Sequence, residues 1–236
     1  MIVHATFSRD ANGIGGAGGK YRGRLIKSID IAHYISEQLG EKISVISHTD
    51  SIGRYSISLE NFTEQLVSDM EFVSAYIEKN RLNVDVLLEN HVKFKDIDGK
   101  DVHYMFGATE DYINKVLELD LKHIGVLIDL CHYKGMENYY KAIGLDYLSI
   151  GDWFRLAGDK LGHIHLCGGE GYCHTDEDHG HVIEKGEYLD SIVKAIKDTG
   201  YNKDITIEVY EDDLNNAKNF RRQLDILLDT KLEFDY

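Results

Sequence analysis

Six short apolar runs each deliver a residue of metal-ligand type at or just past their C-terminal end. They are Ile2 to His4, Ile43 to His48, Val84 to Glu89, Ile124 to Asp129 with His132, Leu161 to His165, and Ile205 to Glu208. Apolar runs of four to eight residues read as buried parallel strands, which lack a solvent face to alternate with. Parallel strands whose functional groups gather at their C-terminal ends are the geometry of a (β/α) barrel. The pattern predicts an α/β fold, a TIM-type barrel, with an enzyme's chemistry built around metal.

Helical spacing between the runs supports this. After the first run comes a glycine-rich loop (Asn12, Gly13, Gly15, Gly16, Gly18, Gly19), then Leu25, Ile26, Ile29, Ala32, Ile35 and Leu39 at helical intervals before Gly40. The spacing predicts further helices near Leu59 to Lys79, Thr109 to Leu119, Leu145 to Ala157 and Tyr188 to Thr199, and a closing helix from Leu214 to Leu228. No proline- or serine-rich linker interrupts the alternation, so residues 1–236 are expected to form one domain. A closed barrel needs eight strands and six are evident, with Met1 already at the first. The barrel is therefore expected to be incomplete at its N-terminal side, or walled in part by stretches such as Val102 to Phe106, and an open edge would suit a homo-dimer.

Composition narrows the partners. Among 236 residues the formal net charge is −15, and the nearest thing to a basic patch is Lys20, Arg22, Arg24 and Lys27. A nucleic-acid binder usually shows a basic face; a small-molecule substrate is expected instead, with nucleic acid less favoured. Lys20 and Arg22, at the approach to a helix N-terminus, are candidates to hold a substrate phosphate. No stretch approaches the roughly 18 apolar residues of a membrane span, and the start lacks a signal-peptide pattern. Cys131, Cys167 and Cys173 do not stand at disulfide-framework spacings. A cytoplasmic protein with free thiols and no membrane association is expected.

In Gly162-His163-Ile164-His165-Leu166-Cys167 alternation puts His163, His165 and Cys167 on one face. Glu89, Asp129, His165 and Glu208 end four separate strands, and four such groups brought together need a cation or tight pairing to offset their desolvation. These four are the expected metal ligands. His132, three residues after Asp129, can look into the same mouth if the chain turns at once. Mixed oxygen and imidazole donors suit zinc or manganese. The polar segment Cys173 to His181 could add His179 or His181 if it folds over the mouth.

The succession Leu88-Glu89-Asn90, Ile128-Asp129-Leu130-Cys131-His132, His163-Ile164-His165-Leu166, Lys185-Gly186-Glu187 and Thr206-Ile207-Glu208 resembles the xylose isomerase-like barrel superfamily. That superfamily includes sugar and sugar-phosphate isomerases and epimerases and the endonuclease IV enzymes (AP endonuclease family 2). In the epimerase branch the resemblance implies one divalent ion on Glu89, Asp129, His165 and Glu208. The two glutamates then act as acid and base in moving a proton beside a carbonyl through an enediolate, and His132 contacts the substrate. In the endonuclease branch the same positions with His4, His48, His132 and a late Asp-x-His pair hold three zinc ions that cleave abasic DNA. His4 and His48 match that branch. The late pair appears only as Glu177-x-His179 or His179-x-His181, the basic density is missing, and the first two strands, which in that branch help form the DNA-facing mouth, are not evident. These departures rank isomerisation of a sugar or sugar phosphate first, phosphodiester cleavage second and a non-catalytic metal-binding barrel third, with one to three ions per chain.

Overall fold

Each of the six apolar runs forms a strand, and they lie side by side in one parallel sheet. The computed structural model describes residues 1–5, 20–48, 59–91, 106–169 and 179–230. Its strands are β1 (Ile2–His4), β2 (Ile43–His48), β3 (Val84–Glu89), β4 (Ile124–Asp129), β5 (Leu161–Leu166), β6 (Gly168–Gly169), β7 (His179–His181) and β8 (Ile205–Ile207). The parallel sheet runs β1-β2-β3-β4-β5-β8, while β6 and β7 form a small antiparallel pair. The result is a six-stranded half-barrel of TIM type, short of the eight strands of a closed one. Of Val102 to Phe106, only the backbone of Phe106 is described, at the start of a 3₁₀ turn.

The helices are α1 (Lys20–Leu39), α2 (Leu59–Asn80), α3 (Asp111–Leu119), α4 (Leu130–Ala142), α5 (Ile150–Ala157), α6 (Glu187–Thr199) and α7 (Lys218–Asp229). Among the described residues none is long and apolar enough to cross a membrane. Three expectations need correction. The expected helix from Leu145 starts only at Ile150, because Ser149 and Asp152 close a reciprocal capping box there. The closing helix starts at Lys218 rather than Leu214, after Ala217 turns to φ +44°. Helix α4, not anticipated at all, follows β4 with no loop, since Asp129 is both the last strand residue and the helix cap.

Strand alternation sorts the side chains into two layers. Val45, Val86, Leu88, Val126, Ile128 and Ile164 face the helices in the main core, whereas Ile46, Leu87 and Leu127 pack with Ile2 inside the half-barrel. Leu87 fills this floor because its neighbours are glycines. A Cβ at Gly162 would stand 2.5 Å from Leu87 Cδ2, and one at Gly125 would stand 2.9 Å from it and 2.8 Å from the Lys160 carbonyl oxygen.

Candidate metal centre

Two residues beyond Ile2, Ile46, Leu87, Leu127 and His163 on the same strand faces come His4, His48, Glu89, Asp129 and His165. An apolar floor is thus capped by a polar layer. Parallel pairing sets His48 beside Glu89 and Asp129 beside His165, and the register brings Thr206 beside His165, which leaves Glu208 just past the end of β8. Glu89 is 2% exposed and Asp129 fully buried.

Glu89 faces two donor sets at once. Its Oε2 lies 2.9 Å from His48 Nε2 and 3.8 Å from His4 Nε2, and its Oε1 lies 3.3 Å from His165 Nδ1 and 3.8 Å from His132 Nδ1. The donor atoms of His4, His48 and Glu89 fall within 4.8 Å of one another, and so do those of Glu89, Asp129, His165 and Glu208. His4 Nδ1 is 2.8 Å from the Ala5 carbonyl, to which it can only donate. A neutral His4 therefore presents a lone pair at Nε2, 3.0 Å from His48 Nε2.

Asp129 is fixed from both sides. Its backbone N–H donates to Asn90 Oδ1 at 2.6 Å, and its carbonyl accepts from Asn90 Nδ2 at 3.0 Å. Its side-chain Oδ1 accepts the His132 N–H at 2.8 Å, capping α4 and turning the chain at once into the helix. That immediate turn brings His132 to the site, where its Nδ1 donates to the Asn90 carbonyl at 2.9 Å. The proton on Nδ1 leaves Nε2 as the lone-pair nitrogen of the neutral ring. His91 is also buried here, stacked on His132 at 5.1 Å and edge-on to His48 at 5.0 Å. Sequence reasoning gave neither Asn90 nor His91 a role; the signal was a polar pair directly after a strand-end glutamate.

Electrostatics follow from this crowding. Burial alone would raise Glu89, but His48, His165 and His4 hold its carboxyl well below the ordinary range. Asp129, likewise opposed by burial, is lowered by His132 and His165. Burial would depress His165, yet Asp129, Glu208 and Glu89 push it up to about 12. His163, one step below, is pushed down to about 4 by burial and by His165, and bonds Thr206 at 2.8 Å.

The donor set fits a divalent cation. His165 Nδ1 faces Glu208 Oε2 at 2.7 Å, Glu89 Oε1 at 3.3 Å and Asp129 Oδ2 at 3.6 Å, yet makes no aligned hydrogen bond. One ring nitrogen can donate at most one proton to three carboxylates. Buried charge left in that state costs several kcal/mol per ion.

Other candidates are placed as follows. His181 is exposed on β7; the backbone of His179 is in the same strand, but its side chain, like Cys173 to Asp178, lies outside the described residues. The Gly180 carbonyl accepts from the Tyr210 N–H at 2.7 Å, which docks β7 beside the chain leaving Glu208. Arg22 is engaged elsewhere, gripping Asp69 at 2.5 and 2.8 Å and lying over Phe72 at 4.5 Å. It ties α1 to α2; the Lys20 side chain and the glycine loop lie outside the described residues. Trp153 and Phe154 are core.

No curated protein matches the sequence significantly. By fold, the chain is similar to a 3-keto-D-glucoside 4-epimerase from E. coli (TM-score 0.63, 16% identity, 97% of this chain and 78% of that one). It is also similar to a D-psicose 3-epimerase crystallised in the presence of D-fructose (TM-score 0.62, 16% identity, 95% and 74%). A third similar structure is a probable 3-DHS dehydratase from Bacillus anthracis (TM-score 0.61, 13% identity, 96% and 74%). At such identities the likeness speaks for the fold alone. The family model for the xylose isomerase-like TIM barrel, by contrast, matches residues 1–230, and with the strand order and the polar layer above, the chain belongs to that family.

Proposed function

We propose that this chain is a divalent-metal-dependent hydrolase of a phosphate ester, with abasic DNA as the first substrate to test, and that Glu89 bridges two donor sets. The observation that carries this reading is the division of Glu89 between His4 and His48 on one oxygen and His165 on the other. A general base needs an oxygen turned to the substrate; both oxygens of Glu89 face ligand-type histidines. This reverses the order that the sequence supports, giving a shared carboxylate more weight than the charge, the late ligand pair and the two strands missing from the mouth.

Two or more ions held here would neutralise the phosphate charge and make an attacking water more acidic. The chain's own residues supply the rest. Glu208, whose side chain is 43% exposed, stands at the solvent side of the centre and accepts a proton from the attacking water. Asn90 holds Asp129 and His132 in place through three hydrogen bonds. The apolar floor of Ile46, Leu87 and Leu127 keeps water from below. The test is elemental analysis of protein purified without chelator, joined to a nicking assay on abasic-site duplex. Two to three ions per chain, with cleavage lost in His48→Ala, are expected. One ion per chain and no cleavage would overturn the reading.

A second reading, isomerisation or epimerisation of a sugar or sugar phosphate, is favoured by the four-donor set of Glu89, Asp129, His165 and Glu208 and by the sugar epimerases of similar fold. Glu208 would then remove the proton beside the carbonyl, with Glu89 as its counterpart and His132 against the substrate. Deuterium uptake from solvent into a panel of ketoses and their phosphates tests it. Silence in both assays with metal fully loaded would leave the non-catalytic barrel.

A further inference from the structure

Behind the centre lies a second kind of donor. Cys131 and Cys167 are buried, at 4% and 0% exposure, and neither is in a disulfide. They come from different elements, Cys131 from the first turn of α4 and Cys167 from the residue after β5, and they meet at Asp129. Cys167 Sγ stands 3.7 Å from Asp129 Oδ2 and 3.9 Å from Oδ1, and the donor atoms of Asp129, Cys131 and Cys167 lie within 4.8 Å of one another. We propose that Asp129, Cys131 and Cys167 form a sulfur-rich site for a thiophilic divalent ion, sharing Asp129 with the main centre.

The spacing supports this. Sulfur at about 2.3 Å and oxygen at about 2.0 Å from one tetrahedral ion stand roughly 3.5 Å apart, close to the separation of Cys167 from Asp129. Buried cysteines are often plain packing residues, but packing alone does not require two thiols from different elements to converge on a carboxylate. Asp129 Oδ1 is committed to the His132 N–H, so Oδ2 is the oxygen over which the two donor sets compete: it is 3.6 Å from His165 Nδ1 and 3.7 Å from Cys167 Sγ. Thiolate donors select zinc, cadmium or cobalt over magnesium and calcium. Uptake is balanced by release of the two thiol protons to solvent. The site is coupled to the main centre through Asp129 but does not depend on which reaction that centre performs.

Cobalt is the probe. The full chain with Cys173→Ser, reduced and stripped of metal, is titrated anaerobically with cobalt(II) while absorption is followed. A strong near-ultraviolet thiolate-to-cobalt charge-transfer band is expected, lost in Cys131→Ser and in Cys167→Ser and retained in Glu208→Gln. If only the weak visible bands of nitrogen and oxygen ligation appear in the Cys173→Ser protein, the proposal falls, and this holds even if a cysteine variant fails to fold. Loss of activity in Glu208→Gln with the band intact separates this site from the catalytic reading.

Discussion

Glu89 is held by histidines on both oxygens, and Asn90 does comparable work for Asp129. Replacing Asn90 by Ala removes both bonds that bracket the Asp129 peptide and leaves a buried N–H and a buried carbonyl to find other partners. A loss of about 1–3 kcal/mol of stability is expected, with about a 10- to 100-fold loss of metal affinity, readable by denaturant titration and chelator competition. The proton balance is equally specific. His165, raised to about 12, contributes stability to the metal-free protein that is fully present below its ordinary value of 6.5 and fades only as pH climbs through its folded value. Glu89 and Asp129 are depressed, so their contribution holds above their ordinary values of 4.5 and 3.8 and is lost as pH falls through the lowered ones. At about pH 7 an ion must therefore displace the His165 proton, and affinity rises with pH. Calorimetry in buffers of differing ionisation enthalpy should show proton release; binding without it would contradict the assignment. The strand-end ligands were legible because alternation and element ends are sequence properties. The contacts of Asn90 and His91 were not, since they depend on where α4 begins.

The six strands of the parallel sheet could be read from apolar runs alone, with bounds that hold within a residue, whereas the short antiparallel pair β6 and β7 carries no apolar run and was not read. Helix α4 was hidden because the sequence Leu130 to Ala142 mixes Gly135, charged residues and tyrosines, and because a loop is normally expected after a strand. Asp129 serves both elements, so no turn signal separates them. The start of α5 was readable: Ser149 and Asp152 carry the capping-box spacing. Ser149→Ala should lower stability by about 1 kcal/mol, and an unchanged denaturation midpoint would deny the cap its part. Gly125 depends on close packing across strands that the sequence does not display. Gly125→Ala forces a Cβ against the Lys160 carbonyl and Leu87 and should cost about 1–3 kcal/mol, measurable by thermal unfolding. Gly162→Ala meets only the tip of Leu87, so it should cost less.

Among the described residues, six strands of one sheet stand where a closed barrel has eight, and the outer strands β1 and β8 are the least buried of that sheet. Ile46, Leu87 and Leu127, with Ile2 against them, pack inside the half-barrel, and ions bridging the strand ends above them should add stability through mass action. Stripping with chelator should lower Tm by several degrees, and zinc or manganese should restore it; magnesium should not. The incomplete barrel was legible as a strand count, whereas the sharing of Glu89 needed coordinates. Among the described residues His4 belongs to a three-residue strand at the edge of the sheet, paired with β2, and its anchor beyond is the Ala5 N–H on the Ile46 carbonyl. Such a margin frays readily. An ion gripping His4 together with Glu89 would act as a clasp on that loose border, slowing amide hydrogen exchange at Val3 to Ala5 while the protected centre of the sheet scarcely responds.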